Sequence, residues 1–233
     1  MVSYIGDRWS FKGSMAIKQR AISDEEKMER RESILAAALG LLAEDDYGNI
    51  SIASIANKAG IAKGTIFLYF RTKEELFLQL QTREYKSWFD DINNRLHALK
   101  KPASLDEFVK VFVSSVGEHP RLLPLIPILH IVLEHNIDYK TALEFKRFLL
   151  NETQTTGRLI EQCLPFLREH DGGYFLLDLQ ILMIGLIQSS QPAPLIEQVI
   201  KEEGLEVFEV NFEEKLQELL TLMLSGRKAI YTK

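Results

Sequence analysis

Apolar residues recur along this chain at helical spacing. Ile34, Leu35, Ala38, Leu41 and Leu42 fall at i, i+1, i+4, i+7 and i+8, the stripe of a helix buried on one face. Ser23-Asp24-Glu25-Glu26 has the spacing of a capping box, in which the serine oxygen and the third-position glutamate satisfy otherwise orphaned backbone N–H groups. The first helix is therefore expected to begin near Ser23 and to stop before Gly48. A second, from about Ser51, turns Ile52, Ile55 and Ala56 inward, and a third adds Ile66 and Phe70 to the same small core. Thr72-Lys73-Glu74-Glu75 is another capping box, and it opens a long helix through Leu76, Phe77, Leu80, Tyr85, Trp88, Phe89 and Ile92. Lys100-Lys101-Pro102 ends that helix, because proline cannot continue it and restricts the residue before it.

The pattern continues to the C-terminus. Ser104-Leu105-Asp106-Glu107 caps a helix with Phe108, Val111, Phe112 and Ser115 along one side. Pro120, Pro124 and Pro127 break the chain into short irregular helical pieces between Leu122 and His135. Longer helices are expected from about Tyr139 to Leu164, Gly173 to Ser190 and Asn211 to Ser225, with Ser189 to Pro194 as the clearest loop. Period-two alternation is almost absent, so the fold class is all-α.

One run carries most of the chemistry. A short helix ending at Ala59 meets Gly60, which takes a positive φ without a Cβ penalty and suits a tight inter-helix turn. A second short helix then begins around Ala62. This is the pattern of a DNA-binding helix-turn-helix. The chain's net charge of -5 looks unfavourable for DNA, but phosphate neutralisation is local. From Tyr47 to Lys73 there is no acid, while Lys58, Lys63, Arg71 and Lys73 are all basic. Arg8, Lys12, Lys18 and Arg20 form a second acid-free basic stretch. With Ile66 and Phe70 packed inward, Lys63, Gly64, Thr65, Phe67, Leu68 and Tyr69 face outward or sideways. Lys63 suits a phosphate or guanine acceptors, and Thr65 a phosphate or a thymine methyl. Gly64 lets the helix N-terminus approach the backbone, Tyr69 offers a phenolic donor, and Lys73 suits a flanking phosphate.

These residues resemble the DNA-binding domain of the TetR family of bacterial transcriptional repressors. The likeness covers residues 33–80, through Ser51-Ile52-Ala53-Ser54-Ile55-Ala56, Ala59-Gly60-Ile61, Lys63 to Phe70 and Lys73-Glu74-Glu75-Leu76. The resemblance implies an N-terminal three-helix helix-turn-helix domain and a larger helical ligand-binding and dimerisation domain. It further implies phosphate contacts from Thr65, Tyr69 and Lys73. The expected division is a flexible basic arm over residues 1–22, the DNA-binding domain over 23–80, and the effector-binding and dimerisation domain over 81–233. Two residues depart from the family pattern: Phe67 stands where a tyrosine is frequent, and Ala53 where an arginine is frequent. Ser51, Lys63 and the basic arm are therefore expected to matter more here.

The second domain speaks more softly. Tyr174 to Ile187 is apolar nearly all round, and the last helix adds Phe212, Leu216, Leu219, Leu220, Met223 and Leu224. Leu179, Leu182, Met183 and Leu186 with Leu216, Leu219, Leu220 and Met223 are the candidates for a four-helix bundle across a two-fold axis, the homodimer the resemblance also implies. The alternative, that both helices belong to one monomer's core, stays open. Candidates for a largely apolar small-molecule effector are Trp88, Phe108, Phe112, His130, His135 and Tyr139, with the polar run Thr153 to Thr156. His130 and Glu134 share a helical face without an evident third ligand, so no metal is expected, and no cofactor.

Other classes are disfavoured. There is no nucleophile elbow, phosphate loop or metal motif, which argues against an enzyme. The single cysteine, Cys163, fits a buried apolar role in a reducing cytoplasm. The N-terminus lacks a signal-peptide core, and the densest apolar run is interrupted by Asp178 and Gln180, so no membrane partner is expected. The sequence thus predicts a cytoplasmic regulator that binds double-stranded DNA at an inverted repeat and is released by an effector. The alternative is an effector-independent DNA-binding regulator controlled by a protein partner.

Overall fold

The computed structural model describes residues 10–202 and 204–231, with side chains described from 24 onward except at 130 and 131. Its helices, in chain order, are α1 (Ser10–Leu42), α2 (Ile52–Lys58), α3 (Lys63–Ile66), α4 (Lys73–Ala98), α5 (Leu105–Gly117), α6 (Ile128–Ile131), α7 (Tyr139–Cys163), α8 (Asp171–Ser190), α9 (Pro194–Ile200) and α10 (Phe212–Tyr231). Among the described residues no strand occurs. The chain divides into two compact units, 1–73 and 74–233.

In the first unit, α1 begins thirteen residues earlier than the capping box at Ser23 predicts, since it starts at Ser10. A capping box needs unpartnered N–H groups at a helix start, and here Ser23 to Glu26 lie inside a continuing helix. Residues 15–22, Met-Ala-Ile-Lys-Gln-Arg-Ala-Ile, contain no Pro or Gly and favour its extension. The expected arm over 1–22 is therefore helical from Ser10, and its remainder, including Arg8, lies outside the described residues. The core forms as the periodicity predicts: Ile34, Leu35 and Ala38 of α1, Ile55 and Ala56 of α2, then Ile66 and Phe70, are all buried. Tyr47 and Ile50, from the segment between α1 and α2, join them.

In the second unit, the capping box at Ser104 is present. Ser104 Oγ accepts the Glu107 N–H at 3.2 Å, and Glu107 Oε2 accepts the Ser104 N–H at 3.2 Å. The Ser104 hydroxyl also donates to Glu107 Oε2 at 2.7 Å, and that bond, with the one from the Ser104 N–H, favours the ionised form of the Glu107 carboxyl and lowers its pKa. Phe175 of α8 meets Phe108 and Phe112 of α5 edge to face, with centroids 5.8 and 5.1 Å apart. Helix α7 packs on α8, and α10 on both α5 and α8. The contact between α7 and α8 is a close backbone approach, and a Cβ on Gly172 would stand 2.1 Å from the Gly157 carbonyl oxygen.

Helix α8, with a mean hydropathy of 1.3, is long and apolar enough by composition to cross a membrane. Its packing gives another reason for that composition: Phe175, Leu176, Leu179, Met183, Leu186 and Ile187 are buried within this unit, and Asp178 pairs with Arg227 of α10. Two boundaries differ from expectation. Residues after Pro194 form α9, where Pro supplies a ready-made first turn. Helix α10 runs to Tyr231 rather than Ser225, its last turns tied to α8 by the Arg227 pair and by the Tyr231 hydroxyl at 3.4 Å from Asp171 Oδ1.

Candidate nucleic-acid interface and inner cavity

The turn between α2 and α3 is built by Gly60 at φ 66°. The Gly60 N–H donates to Asn57 O and the Ile61 N–H to Ala56 O, the paired bonds of a Schellman ending that closes the carbonyl end of α2. At the other end, Ser51 Oγ accepts the Ser54 N–H at 3.0 Å while Ser54 Oγ accepts the Ser51 N–H at 2.9 Å. Ser51, expected among the DNA contacts, is therefore the cap of α2 and remains exposed.

Helix α3 makes one α-turn and continues through Tyr69 and Phe70, whose N–H groups both donate to Ile66 O. Ile66 and Phe70 are buried. Lys63, Gly64, Phe67 and Leu68 are exposed, and Thr65 and Tyr69 half-buried. Ala62, at the start of α3, brings no side-chain acceptor to the helix N–H groups. Phe67 and Leu68, 49% and 81% exposed, place apolar surface on this outer face, which a soluble domain does not need for its own core.

The cations differ sharply in their surroundings. Lys58 pairs with Glu44 at 2.7 Å. Lys73 turns inward: its ammonium donates to the carbonyls of Tyr47 at 2.8 Å and Ile50 at 2.7 Å, and lies 3.8 Å from the centroid of the Tyr47 ring. Lys63 is exposed and makes no ion pair among the described residues. Tyr69 shares a surface groove with Glu26, Lys27, Glu29 and Arg30 of α1, two cations beside two carboxylates. Those two cations escaped the sequence reading because acids surround them in the chain. Their i, i+3 spacing, which puts both on one helix face, was the available signal.

The second unit holds a cavity of about 80 Å³ between α4, α7, α8 and the segment after α5. Tyr85, Trp88, Phe89, His119, Leu122 and Met183 are among its walls. The Trp88 Nε1–H donates to Ser115 Oγ at 3.2 Å, and His119 Nδ1 lies 2.8 Å from the Ser115 carbonyl. The Tyr85 hydroxyl and both amide atoms of Gln81, one turn earlier on α4, are buried without a hydrogen-bond partner among the described residues. Burial raises the Tyr85 phenol's pKa well above its ordinary range; the adjacent Gln81 amide opposes that shift without reaching hydrogen-bond geometry, and the Glu134 carboxylate adds to it.

The sequence-predicted effector residues scatter. Trp88 lines the cavity, as does Thr153 of the polar run. Phe108 and Phe112 are instead fully buried in the aromatic cluster, and His135 and Tyr139 are exposed. The His130 side chain lies outside the described residues. Tyr85, His119 and Gln180 are walls that the sequence does not point to, since they come together from three separate segments of the chain.

The dimer candidates differ in burial within the single chain. Leu179, Met183, Leu186, Leu216 and Leu220 are buried inside the single chain, and Leu182, Leu219 and Met223 are half-buried. The exposed apolar face of α8 is Tyr174, Leu177 and Ile181, and α10 exposes Leu222 and Ile230. Helical spacing shows that a face is apolar, but a helix apolar all round leaves undecided which side meets its own core.

Comparison with known proteins agrees with these two units. Residues 34–80 match the family model of bacterial regulatory proteins of the tetR family, and residues 82–230 that of the tetracyclin repressor-like C-terminal domain. The chain is 26% identical over 143 residues to the fatty acid metabolism regulator protein of Bacillus subtilis, covering 61% of this chain and 66% of that one. It is 32% identical over 95 residues to the HTH-type transcriptional regulator EthR of Mycolicibacterium smegmatis, covering 40% of this chain and 43% of that one. These matches thus span less than two thirds of either relative. Among solved structures, a tetR-family transcriptional regulator from Mesorhizobium loti superposes with a TM-score of 0.55 at 15% identity, covering 87% of this chain and 96% of that one.

Proposed function

The chain belongs to the TetR family of bacterial regulatory proteins, and from that premise we propose that it is a cytoplasmic repressor that binds an inverted-repeat operator as a homodimer and leaves it when a small molecule enters the 74–233 unit. The observation that carries the DNA-binding part is the outer face of α3. Lys63, Gly64, Phe67 and Leu68 stand exposed over a packed Ile66 and Phe70, as a recognition helix requires. Lys63 supplies the cation, Thr65 and Tyr69 the hydroxyl donors, and Phe67 an apolar surface for thymine methyls. Two copies of α3 would enter successive major grooves about 34 Å apart.

The partner surface is a second copy of this chain, laid against Tyr174, Leu177 and Ile181 of α8 and Leu222 of α10. These apolar groups are exposed on neighbouring helices that already pack together. Effector control would run along α4, one continuous helix that begins at Lys73 and carries Tyr85 and Trp88 about three turns later. A ligand that prefers one setting of α4 shifts the population toward it; moving from mostly bound to mostly free requires several kcal/mol of preference. The relative named as a fatty acid metabolism regulator protein supports a largely apolar effector.

Selection of bound sequences from a random DNA pool tests this reading. The expected product is an inverted repeat whose binding weakens when Lys63 and Thr65 are replaced by alanine. Recovery of unrelated sequences, or unchanged binding by the double variant, would reject it.

A further inference from the structure

We propose that the chain reads its operator chiefly through thymine 5-methyl groups, with Leu68 at the centre of the reading surface. The inference rests on the proposal that α3 enters the major groove, and it names the base feature that α3 detects there.

Position, chemistry and charge support it. At about 100° per residue, Leu68 lies two positions from each of the buried Ile66 and Phe70, and so nearly opposite both on the outer face. The backbone keeps this register past the end of α3: the Leu68 N–H donates to Thr65 O at 3.2 Å, and the Tyr69 and Phe70 N–H groups donate to Ile66 O at 2.9 and 3.0 Å. One turn before Leu68 stands Gly64, exposed and without a side chain to cover it. Leu68 is accordingly 81% exposed, with Phe67 beside it. From Lys63 to Phe70 the sequence has no Arg, Asn, Gln, Asp or Glu, so the guanine fork of arginine, the adenine-bridging amides and the cytosine-accepting carboxylates are all missing from this face. Lys63 is its one cation, and Thr65 and Tyr69 are half-buried on its flank, Tyr69 in a groove shared with α1. The centre of the face is therefore apolar, and the apolar group that a base pair presents in the major groove is the thymine methyl. Charge names the occupant: no acid occurs between Tyr47 and Lys73, so this apolar surface lies in a segment that the phosphates of duplex DNA can approach.

The test uses the full chain and duplexes that it recovers from a random DNA pool, resynthesised with single deoxyuridine-for-thymidine replacements. That exchange removes the 5-methyl and leaves base pairing and every hydrogen-bonding edge unchanged. Affinity is followed by fluorescence anisotropy of the labelled duplex. At one or more thymines of the recovered sequence the replacement is expected to weaken binding about 4-fold, the worth of one buried methyl. In Leu68→Ala the same thymine and deoxyuridine duplexes should bind within about 1.5-fold of each other, the coupling that a direct contact requires. Leu68→Met keeps an apolar side chain of similar volume and should retain the discrimination. Because Leu68 is exposed, neither substitution enters the core of the first unit.

Equal affinity for thymine and deoxyuridine at every position would overturn the proposal. So would a methyl effect that survives undiminished in Leu68→Ala, whether or not that variant binds all duplexes more weakly. In both cases the recovered duplexes still bind, so the reading of α3 as the DNA-binding helix stands. Failure to recover any duplex would overturn that reading and this proposal together.

Discussion

The ammonium of Lys73 lies 3.8 Å from the centroid of the Tyr47 ring and donates to that residue's carbonyl at 2.8 Å, so the first residue of α4 is fastened to the segment that precedes α2. The bond to Ile50 O at 2.7 Å adds a second anchor one residue before the α2 cap. Lys73→Met keeps the side chain's length and removes the charge. It is expected to destabilise the first unit by about 2 kcal/mol, the scale of charge-assisted bonds to backbone. Thermal melting checks this. The salt dependence of DNA binding separates two roles: Lys63→Ala should lower the slope of log affinity against log salt by about one, and Lys73→Met by much less. An equal drop in both variants would make Lys73 a phosphate ligand, as the family resemblance alone implies.

Adjacent glycines at the start of α8 should respond with opposite signs. A Cβ at position 172 would meet backbone atoms of Gly157 at 2.1 to 2.8 Å, and backbone has little room to give. Gly172→Ala is expected to cost about 3 kcal/mol through overpacking. At Gly173 the nearest neighbour to an added Cβ is the Thr153 methyl at 3.6 Å, an ordinary contact. Gly173→Ala should therefore stabilise by roughly 0.5 to 1 kcal/mol through helix propensity alone. Denaturant midpoints of the two variants, compared with the parent at equal m-value, give the answer.

Tyr85 makes a pH prediction whose sign follows from its burial. Its phenol has a raised pKa in the folded chain, so the folded state holds the proton after an unfolded tyrosine, which ionises near ~10, has released it. The stability this contributes is fully present below about pH 10 and is lost as pH rises from there towards the folded value. Alkaline titration followed by phenolate absorbance should show one tyrosine ionising only with unfolding. Tyr85→Phe should remove that late component and make stability less sensitive to pH above ~10.

The helix-turn-helix was legible because its cues are local. Gly60 needs a positive φ, and Ile66 and Phe70 sit four apart; in the second unit the cap of α5 was legible for the same reason, since Ser104 and Glu107 lie within one turn. The start of α1 was misplaced by that same locality: Ser23 to Glu26 has capping spacing, but only the state of the preceding turn decides whether free N–H groups exist there. The inward turn of Lys73 depends on carbonyls 23 and 26 residues away in the chain. The cavity joins residues from 85 to 183, and no pattern within one helix reports that meeting. Tyr139 illustrates the limit: an aromatic beside polar neighbours resembles a pocket residue, and it stands 82% exposed at the start of α7.

The two faces of α8 give the dimer a discriminating test. Ile181 is 68% exposed and Leu179 only 3% exposed, although both are aliphatic and two positions apart. If α8 meets its copy through Tyr174, Leu177 and Ile181, Ile181→Glu places a charge in each half of the interface, twice over by symmetry, while a lone chain keeps that carboxylate in water. Sedimentation of Ile181→Glu is expected to show a monomer that still melts cooperatively. Leu179→Ala instead hollows the single chain's own core and should lower stability by about 3 kcal/mol with the sedimenting mass unchanged. The reverse pairing, with Leu179→Ala dissociating the protein and Ile181→Glu leaving the dimer intact, would return the interface to the face first expected from the sequence.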